Sequence, residues 1–156
     1  MENKNITGSP DSDIREELLC TWLTFTSAVR SERIVRGFTF REILILHILY
    51  NSESARSTTA TDIVNATGML KPQVNKLLDS LEARRLITRQ RSETDRRYVL
   101  ISLTPFGQSQ YLAEHANIIS LLDAFVGELG ENGTHGLIDD MNNAAVIMKD
   151  LISRHA

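Results

Sequence analysis

Apolar residues recur at helical spacing near the start of the chain. Between residues 14 and 35 they fall three or four positions apart, which places them on one face of an amphipathic helix: Ile14, Leu18, Trp22, Phe25 and Val29. Gly37 ends this pattern. Thr39 and Glu42 then have the spacing of a helix N-terminal capping box, and the apolar run 43–50 behind them predicts a second, largely buried helix.

Two shorter helices are predicted next. The first starts at Thr59, with Asp62 three residues later, and stops at Gly68. Lys71-Pro72 starts the second, because proline is tolerated in a first turn whose N–H groups have no helical partner. The inner face of this second helix is apolar: Val74, Leu77, Leu78 and Leu81. Two short helices joined by a tight turn form the helix-turn-helix pattern, in which the second helix reads DNA.

The period of the pattern changes after these helices. Residues 86–88 and 98–101 are short β-prone runs on either side of the polar stretch 90–97. They predict a hairpin with a long charged tip. A hairpin beside a helix-turn-helix is a wing.

Helical spacing returns at the end of the chain. Thr104-Pro105 has the form of an N-cap with proline in the first turn, and it starts a long helix that runs to about Leu129. Three glycines between residues 130 and 136 break the chain, and a last helix is predicted over 137–153. The terminal helices exceed what the small centre needs for its own core, so pairing with a second subunit would bury them.

The predicted fold is therefore mainly α: a winged helix-turn-helix with a two-stranded β-hairpin wing and with N- and C-terminal helices that form a dimerisation region. Residues 39–104 form the DNA-binding part, and residues 11–36 and 105–155 form the dimerisation helices, all within one unit over 1–156.

Composition agrees with a globular protein, since 42% of the residues are hydrophobic and 24% are charged. No apolar run reaches the length of a membrane span, and residues 1–12 are too polar for a signal peptide. We therefore expect a cytoplasmic protein with no membrane partner. The single cysteine, Cys20, fits a reducing compartment.

Positive charge is concentrated in one segment. The whole chain has a net charge of −3, but residues 71–97 contain eight basic and four acidic side chains and so carry +4. A local positive field binds phosphate whatever the total charge is. Taken alone, the segment also fits an ordinary solvated charged face; its place on a helix-turn-helix and a wing favours DNA.

These residues together resemble the MarR family. The resemblance lies in the stretch from Thr59 to Gly68, in the leucine-rich reader helix, and in three further pieces: Arg84-Arg85-Leu86-Ile87-Thr88-Arg89, Asp95-Arg96-Arg97, and Leu103-Thr104 with Gly107. It covers about residues 39–107. One departure is Arg85, which stands where the family usually has glycine at the end of the reader helix and which bears on the geometry of that turn.

The resemblance implies a two-fold dimer, joined through the first and the last two helices. It implies that the reader helices enter successive major grooves and that the wings lie over minor grooves. Side chains at the start of a reader helix reach base edges, so we expect major-groove contacts from Lys71, Gln73, Asn75 and Lys76. Amide side chains pair with adenine, whereas Lys76 is equally suited to phosphate.

The wing is expected to contact the minor groove and the backbone. Arg97 matches the family arginine of the minor groove, where narrow A·T tracts attract positive charge. Asp95 is expected to orient an arginine, although a loop salt bridge of little consequence is the alternative. Phosphate contacts are predicted for Arg89, Arg91 and Arg96.

Cys20 and the histidines are the candidates for sensor chemistry. In the hydroperoxide-sensing branch of the family a first-helix cysteine is the sensor, and Cys20 falls at a similar place, but Thr24, Ile34 and Phe40 replace the tyrosines expected there. A small buried hydrophobe is the favoured interpretation of Cys20. No two histidines have the close spacing of a helical zinc site, so we predict no metal and no cofactor.

A small-molecule effector is predicted where the first two helices meet the dimer partner, again by resemblance. The candidate residues are Trp22, Phe25, Phe38, Phe40 and His47. Ordinary core packing is the alternative for each.

The sequence thus predicts a DNA-binding transcriptional regulator, a repressor that binds a palindromic operator as a homodimer and is released by an effector. Two alternatives stay open: a winged-helix module that binds a protein, and a redox-responsive regulator that senses through Cys20. An enzyme is not expected, because the chain has no nucleophile with a base, no Gly-rich phosphate loop and no metal motif.

Overall fold

The computed structural model describes residues 13–29, 37–52 and 58–155. The chain divides into two compact units, Met1–Arg36 and Gly37–Ala156. The described part of the first unit is a single helix, α1 (Ile14–Val29), which has no buried residue. Its predicted apolar face is present but open, since Leu18 is 68% and Trp22 is 55% exposed. A single unit over 1–156 stays a prediction.

The second unit contains five helices and one hairpin among the described residues. In chain order they are α2 (Phe40–Ser52), α3 (Ala60–Thr67), α4 (Lys71–Ala83), β1 (Ile87–Arg91), β2 (Val99–Leu103), α5 (Pro105–Leu129) and α6 (Glu131–His155). This order confirms the predicted helical fold with a two-stranded wing.

The start of α6 differs from the prediction. The helix begins at Glu131, so Gly133 and Gly136 lie inside it. Of these three glycines, only Gly130, with φ of +77°, lies between the two helices. Glycine inside a helix costs about 1 kcal/mol relative to alanine, which a long helix tolerates, whereas a positive φ ends it.

The predicted starts of α2 and α3 are confirmed in atomic detail. Thr59 and Asp62 form a reciprocal capping box: the Thr59 hydroxyl accepts from the Asp62 N–H, and the Asp62 carboxylate accepts from the Thr59 N–H at 2.8 Å. The same exchange joins Thr39 and Glu42 at the start of α2. Gly68 ends α3 in the left-handed conformation.

The core of the second unit lies where the inner faces of its helices meet the hairpin. It consists mainly of aliphatic side chains with at most 4% exposure, including Ile45, Leu46, Leu49, Ile63, Val74, Leu78, Leu81, Leu86, Ile87 and Ile101. Burying each of them stabilises the fold by about 1.5 to 3 kcal/mol. This core holds α4 and the hairpin in one body.

The hairpin is antiparallel, with Ile87 opposite Leu103 and Arg91 opposite Val99. The Ile101 N–H also donates to the Thr58 carbonyl at 2.8 Å. Because Thr58 directly precedes the N-cap of α3, this bond ties the wing to the start of the helix-turn-helix.

The turn after α4 resolves the departure noted at Arg85. Arg85 has φ of +59°, the conformation that favours glycine. The Leu86 N–H donates to the Leu81 carbonyl and the Arg85 N–H to the Glu82 carbonyl, which is the Schellman pattern. The Thr104 hydroxyl donates to the Arg85 carbonyl at 2.7 Å and holds the turn. The backbone therefore keeps the glycine geometry, at a cost of about 1 to 2 kcal/mol for a residue with a Cβ.

Candidate nucleic-acid interface

The reader helix α4 presents a polar outer face. Its predicted reading residues Lys71, Gln73, Asn75 and Lys76 are all exposed. Val74 and Leu78 on the opposite face are buried. The helical period thus separates the side chains that anchor α4 from those free to meet a base edge.

Gln73 has a second task in the structure. Its Oε1 accepts from the Leu70 N–H at 3.3 Å, because the N-cap position holds a leucine without a side-chain acceptor. The amide NH₂ of Gln73 is the remaining hydrogen-bonding group of this side chain. Leu70 itself is 69% exposed at the same end of α4, a feature that the sequence reasoning missed. Its signal was an apolar residue outside the inner-face period, beside the reading residues.

The tip of the wing is a built turn. Asp95 Oδ1 accepts from the Arg97 N–H at 3.0 Å and lies 3.3 Å from Arg97 Nε. The Asp95 N–H donates to Ser92 Oγ, and the Ser92 residue is buried. The structure thus brings together the aspartate and the arginine that the sequence paired, and the Arg97 side chain projects outward with 90% of its surface exposed.

The other wing arginines differ from one another. Arg91 and Arg96 are exposed and form no ion pair with any part of the chain that the structure describes. The guanidinium of Arg89 lies against α4, with Nη2 2.6 Å from Asp79 Oδ1 and Nε 3.5 Å from Glu82 Oε2. This side chain therefore already has two acidic partners. The phosphate contact expected of Arg89 stays a prediction.

The candidate effector residues of the second unit do not share one environment. The Phe38 ring lies under the Arg84 guanidinium at 4.7 Å, and Arg84 also pairs with the buried carboxylate of Glu42 at 3.0 Å. Phe40 is 67% exposed. These contacts fasten the end of α4 to the start of α2, a role for Arg84 that the basic composition did not reveal.

His47 belongs to a polar cluster between α2 and α5. Its Nδ1 lies 2.7 Å from the Tyr111 hydroxyl and its Nε2 lies 3.0 Å from Asn51 Nδ2. The Tyr111 ring stacks near Tyr50 and His115. Burial, and then the neighbouring Tyr50, raise the pKa of Tyr111, so its hydroxyl keeps its proton and donates or accepts as a neutral group.

The remaining sequence candidates lie on α1 in the first unit. Trp22 and Phe25 are about half exposed. Cys20 is exposed, so the expectation of a buried thiol is wrong for the single chain. The physical reason is that none of the described residues of α1 is buried, so its apolar face is open to solvent. Within the described ranges no cluster of histidine, cysteine or acidic residues has a metal-binding arrangement. None of the helices described combines the length and apolarity needed to cross a bilayer.

Part of the chain is similar to a known protein family. The sequence model of the MarR family matches residues 36–97. No curated protein sequence is significantly similar to this chain.

Solved structures share the fold over almost their whole length. Staphylococcus aureus MarR, in complex with salicylate and kanamycin, is 23% identical with a TM-score of 0.72, over 88% of this chain and 93% of that one. Bordetella bronchiseptica BpsR, whose DNA binding is regulated by 6-hydroxynicotinic acid, is 19% identical with a TM-score of 0.68, over 85% and 99%. S. aureus MepR in its DNA-binding conformation is 21% identical with a TM-score of 0.67, over 85% and 98%. At these identities the likeness shows the fold.

Proposed function

We propose that this chain, whose residues 36–97 match the MarR family model, is a winged helix-turn-helix transcription regulator of that family. It binds a palindromic DNA operator as a homodimer, acting in the cytoplasm as a repressor that a small molecule releases. The observation that carries the proposal is the pairing of two exposed elements in one unit. The polar face of α4 is free for base edges, and the wing turn extends Arg97 outward with Asp95 beside it. Regulation by DNA binding needs no catalytic group, so we assign no enzymatic activity.

The dimer is supported by apolar surface that the single chain leaves open. On α6 no residue is buried, although Met141, Met148 and Leu151 follow one another at helical spacing and are 40% to 51% exposed. Exposed apolar faces of this length mark a protein interface. A second copy is the occupant we propose, because a palindrome requires two reader helices related by a two-fold axis.

Replacing Leu151 by glutamate should convert the dimer to a monomer at micromolar concentration. A carboxylate buried without a partner at an interface is strongly unfavourable, whereas the same helix in the monomer leaves position 151 in water. Sedimentation velocity measures the mass. Lys149→Gln changes the charge by the same amount at a polar position of α6 and should stay dimeric. A Leu151→Glu protein that keeps the wild-type mass would place the interface elsewhere.

The proposed function is tested by selecting duplexes from a random pool with the purified protein at two salt concentrations. A palindrome with half-sites about one helical turn apart, enriched more strongly at low salt, is the expected result. Absence of any enrichment or binding at low salt would contradict it and favour the winged-helix protein-interaction module.

Gln73→Ala should cost about 1 kcal/mol per half-site at particular bases only, because one donated hydrogen bond to a base acceptor is lost. Binding to duplexes with single substitutions in the selected half-site measures this. The thermal midpoint of the variant must be measured beside it, since Gln73 also caps α4. An equal loss on every sequence would show that Gln73 supports the backbone contact instead.

The effector step is proposed by analogy with the aromatic acids bound by the structural relatives. The candidate contacts remain Trp22, Phe25, Phe38, Phe40 and His47, and the mechanism is a change in the separation of the two reader helices. Salicylate and 6-hydroxynicotinate are suitable first probes. Unchanged DNA affinity with each compound that binds the protein would contradict release by an effector.

A further inference from the structure

An ion-pair cluster joins the wing to the reader helix. Arg89 on β1 reaches α4, where its Nη2 donates to Asp79 Oδ1 at 2.6 Å and its Nε lies 3.5 Å from Glu82 Oε2. The Arg89 side chain is only 26% exposed, whereas that of Arg97 at the wing tip is 90% exposed. The two arginines of one hairpin therefore face different surroundings.

The charges in this cluster argue against a direct phosphate role. A guanidinium already placed between two carboxylates has little net charge left to neutralise phosphate, and turning it to DNA would leave Asp79 and Glu82 unpaired. Asp79 is itself 66% exposed on the reader helix, four residues after Asn75. A carboxylate at this position repels a DNA backbone. The ion pair with Arg89 compensates for the negative charge of Asp79.

We infer that Arg89 is a positioning residue: it acts through Asp79 and Glu82 to fix the wing against α4, so that Arg97 and the reading side chains reach adjacent grooves together. The inference rests on the proposed function and deepens it. The core already joins the base of the hairpin to α4, and Arg89 adds a second attachment nearer the wing tip. Two attachments hold the wing at a fixed angle to α4, whereas a single attachment would let the wing pivot.

The direction in which one substitution changes DNA affinity distinguishes a positioning role of Arg89 from a phosphate contact. If Arg89 is a brace, Asp79→Asn should weaken binding to a labelled duplex carrying the selected palindrome by about three- to tenfold, because the wing loses its attachment in both subunits. If Arg89 contacts phosphate, Asp79→Asn should tighten binding, because it removes a negative charge near DNA and frees the guanidinium. Tighter binding would overturn the inference. Glu93→Gln, which removes an exposed carboxylate from the wing tip, is the control for charge alone.

The salt dependence of DNA binding is a second test of the role of Arg89. Arg89→Gln should weaken binding while leaving the slope of log Kd against log salt unchanged, because no phosphate counterion release is lost. Arg91→Gln, on the same strand but exposed, should lower the slope by about 1 for each phosphate contact removed. An equal fall in slope for both variants would assign Arg89 to phosphate. Arg89→Lys, which keeps a charge for Asp79, should restore part of the affinity.

Thermal unfolding without DNA tests the attachment independently of function. Among wild type, Asp79→Asn, Arg89→Gln and the double variant, the double variant should shift the midpoint by less than the sum of the single shifts. Additive shifts in a protein that binds DNA normally would overturn the inference alone. Coupled shifts in a protein that binds no duplex would instead mean that the proposed function has failed, and the inference with it.

Discussion

Replacing Gly107 by alanine should lower the free energy of unfolding by about 3 kcal/mol or more, which corresponds to roughly 10 °C in the thermal midpoint. A Cβ at this position would overlap the Leu86 carbonyl oxygen and lie 2.7 Å from its carbonyl carbon. These are backbone atoms, so no side-chain rotation relieves the overlap. The same Leu86 oxygen accepts from the Thr104 N–H at 3.0 Å, so any shift disturbs the junction of the wing with α5.

The matched control for this change lies in the same helix. At Gly127 on α5, a Cβ would meet no described atom within 4 Å apart from those of its chain neighbours and of its own helix backbone. Gly127→Ala should therefore be neutral or stabilise the protein by up to about 1 kcal/mol, because alanine has the higher helix propensity. Thermal or denaturant unfolding followed by circular dichroism measures both variants. Equal stability of the two would show that the approach of Gly107 to Leu86 does not constrain the fold.

Replacing Arg97 by alanine should weaken DNA binding by about tenfold for each half-site, and so by roughly 100-fold in a two-fold complex, with loss of any A·T preference beside the half-sites. The side chain is exposed and oriented by Asp95, whose carboxylate holds both its backbone N–H and its Nε. Nothing in the core depends on it, so the thermal midpoint should stay near that of the wild type.

The control for Arg97 removes the same charge from α6, outside the helix-turn-helix and the wing. Arg154 near the end of α6 is exposed and pairs within one turn with Asp150, and Arg154→Ala should change DNA affinity little. Fluorescence anisotropy with the selected duplex, and with duplexes in which the flanking A·T pairs become G·C, measures affinity and preference together. Wild-type affinity and preference in Arg97→Ala would exclude the minor-groove role.

The helical and hairpin elements could be predicted because their signals are local. Thr59 with Asp62, Thr39 with Glu42, and Thr104 before Pro105 each mark a helix start through bonds within three residues, and each of these starts is present. The prediction that Gly133 and Gly136 break the helix is wrong, because a glycine forms no local bond that would mark a helix end. Glycine permits a break but does not impose one, and α6 continues through both residues.

The sequence predicted the Asp95–Arg97 pair of the wing but not the partners of the other arginines. Nothing near Arg84 or Arg89 in the +4 segment indicates which acidic residue each of them binds. The structure separates them: Arg84 binds Glu42 and the Phe38 ring, Arg89 binds the acids of α4, and Arg97 is turned outward. Partners 10 and 42 residues away in the chain decide these differences, and no local pattern specifies such distant contacts.

The period of each element, the apolar faces and the positions of the caps could be read from the sequence, because these follow from side-chain spacing and from bonds within one turn. The left-handed conformation of Arg85 could not, because the sequence has arginine there and not glycine. The packing of the described residues shows which apolar faces are buried and which, as on α1 and α6, stay open. The physical reason is that burial and ion pairing depend on which surfaces meet in space, and that is set by the packing of the whole unit.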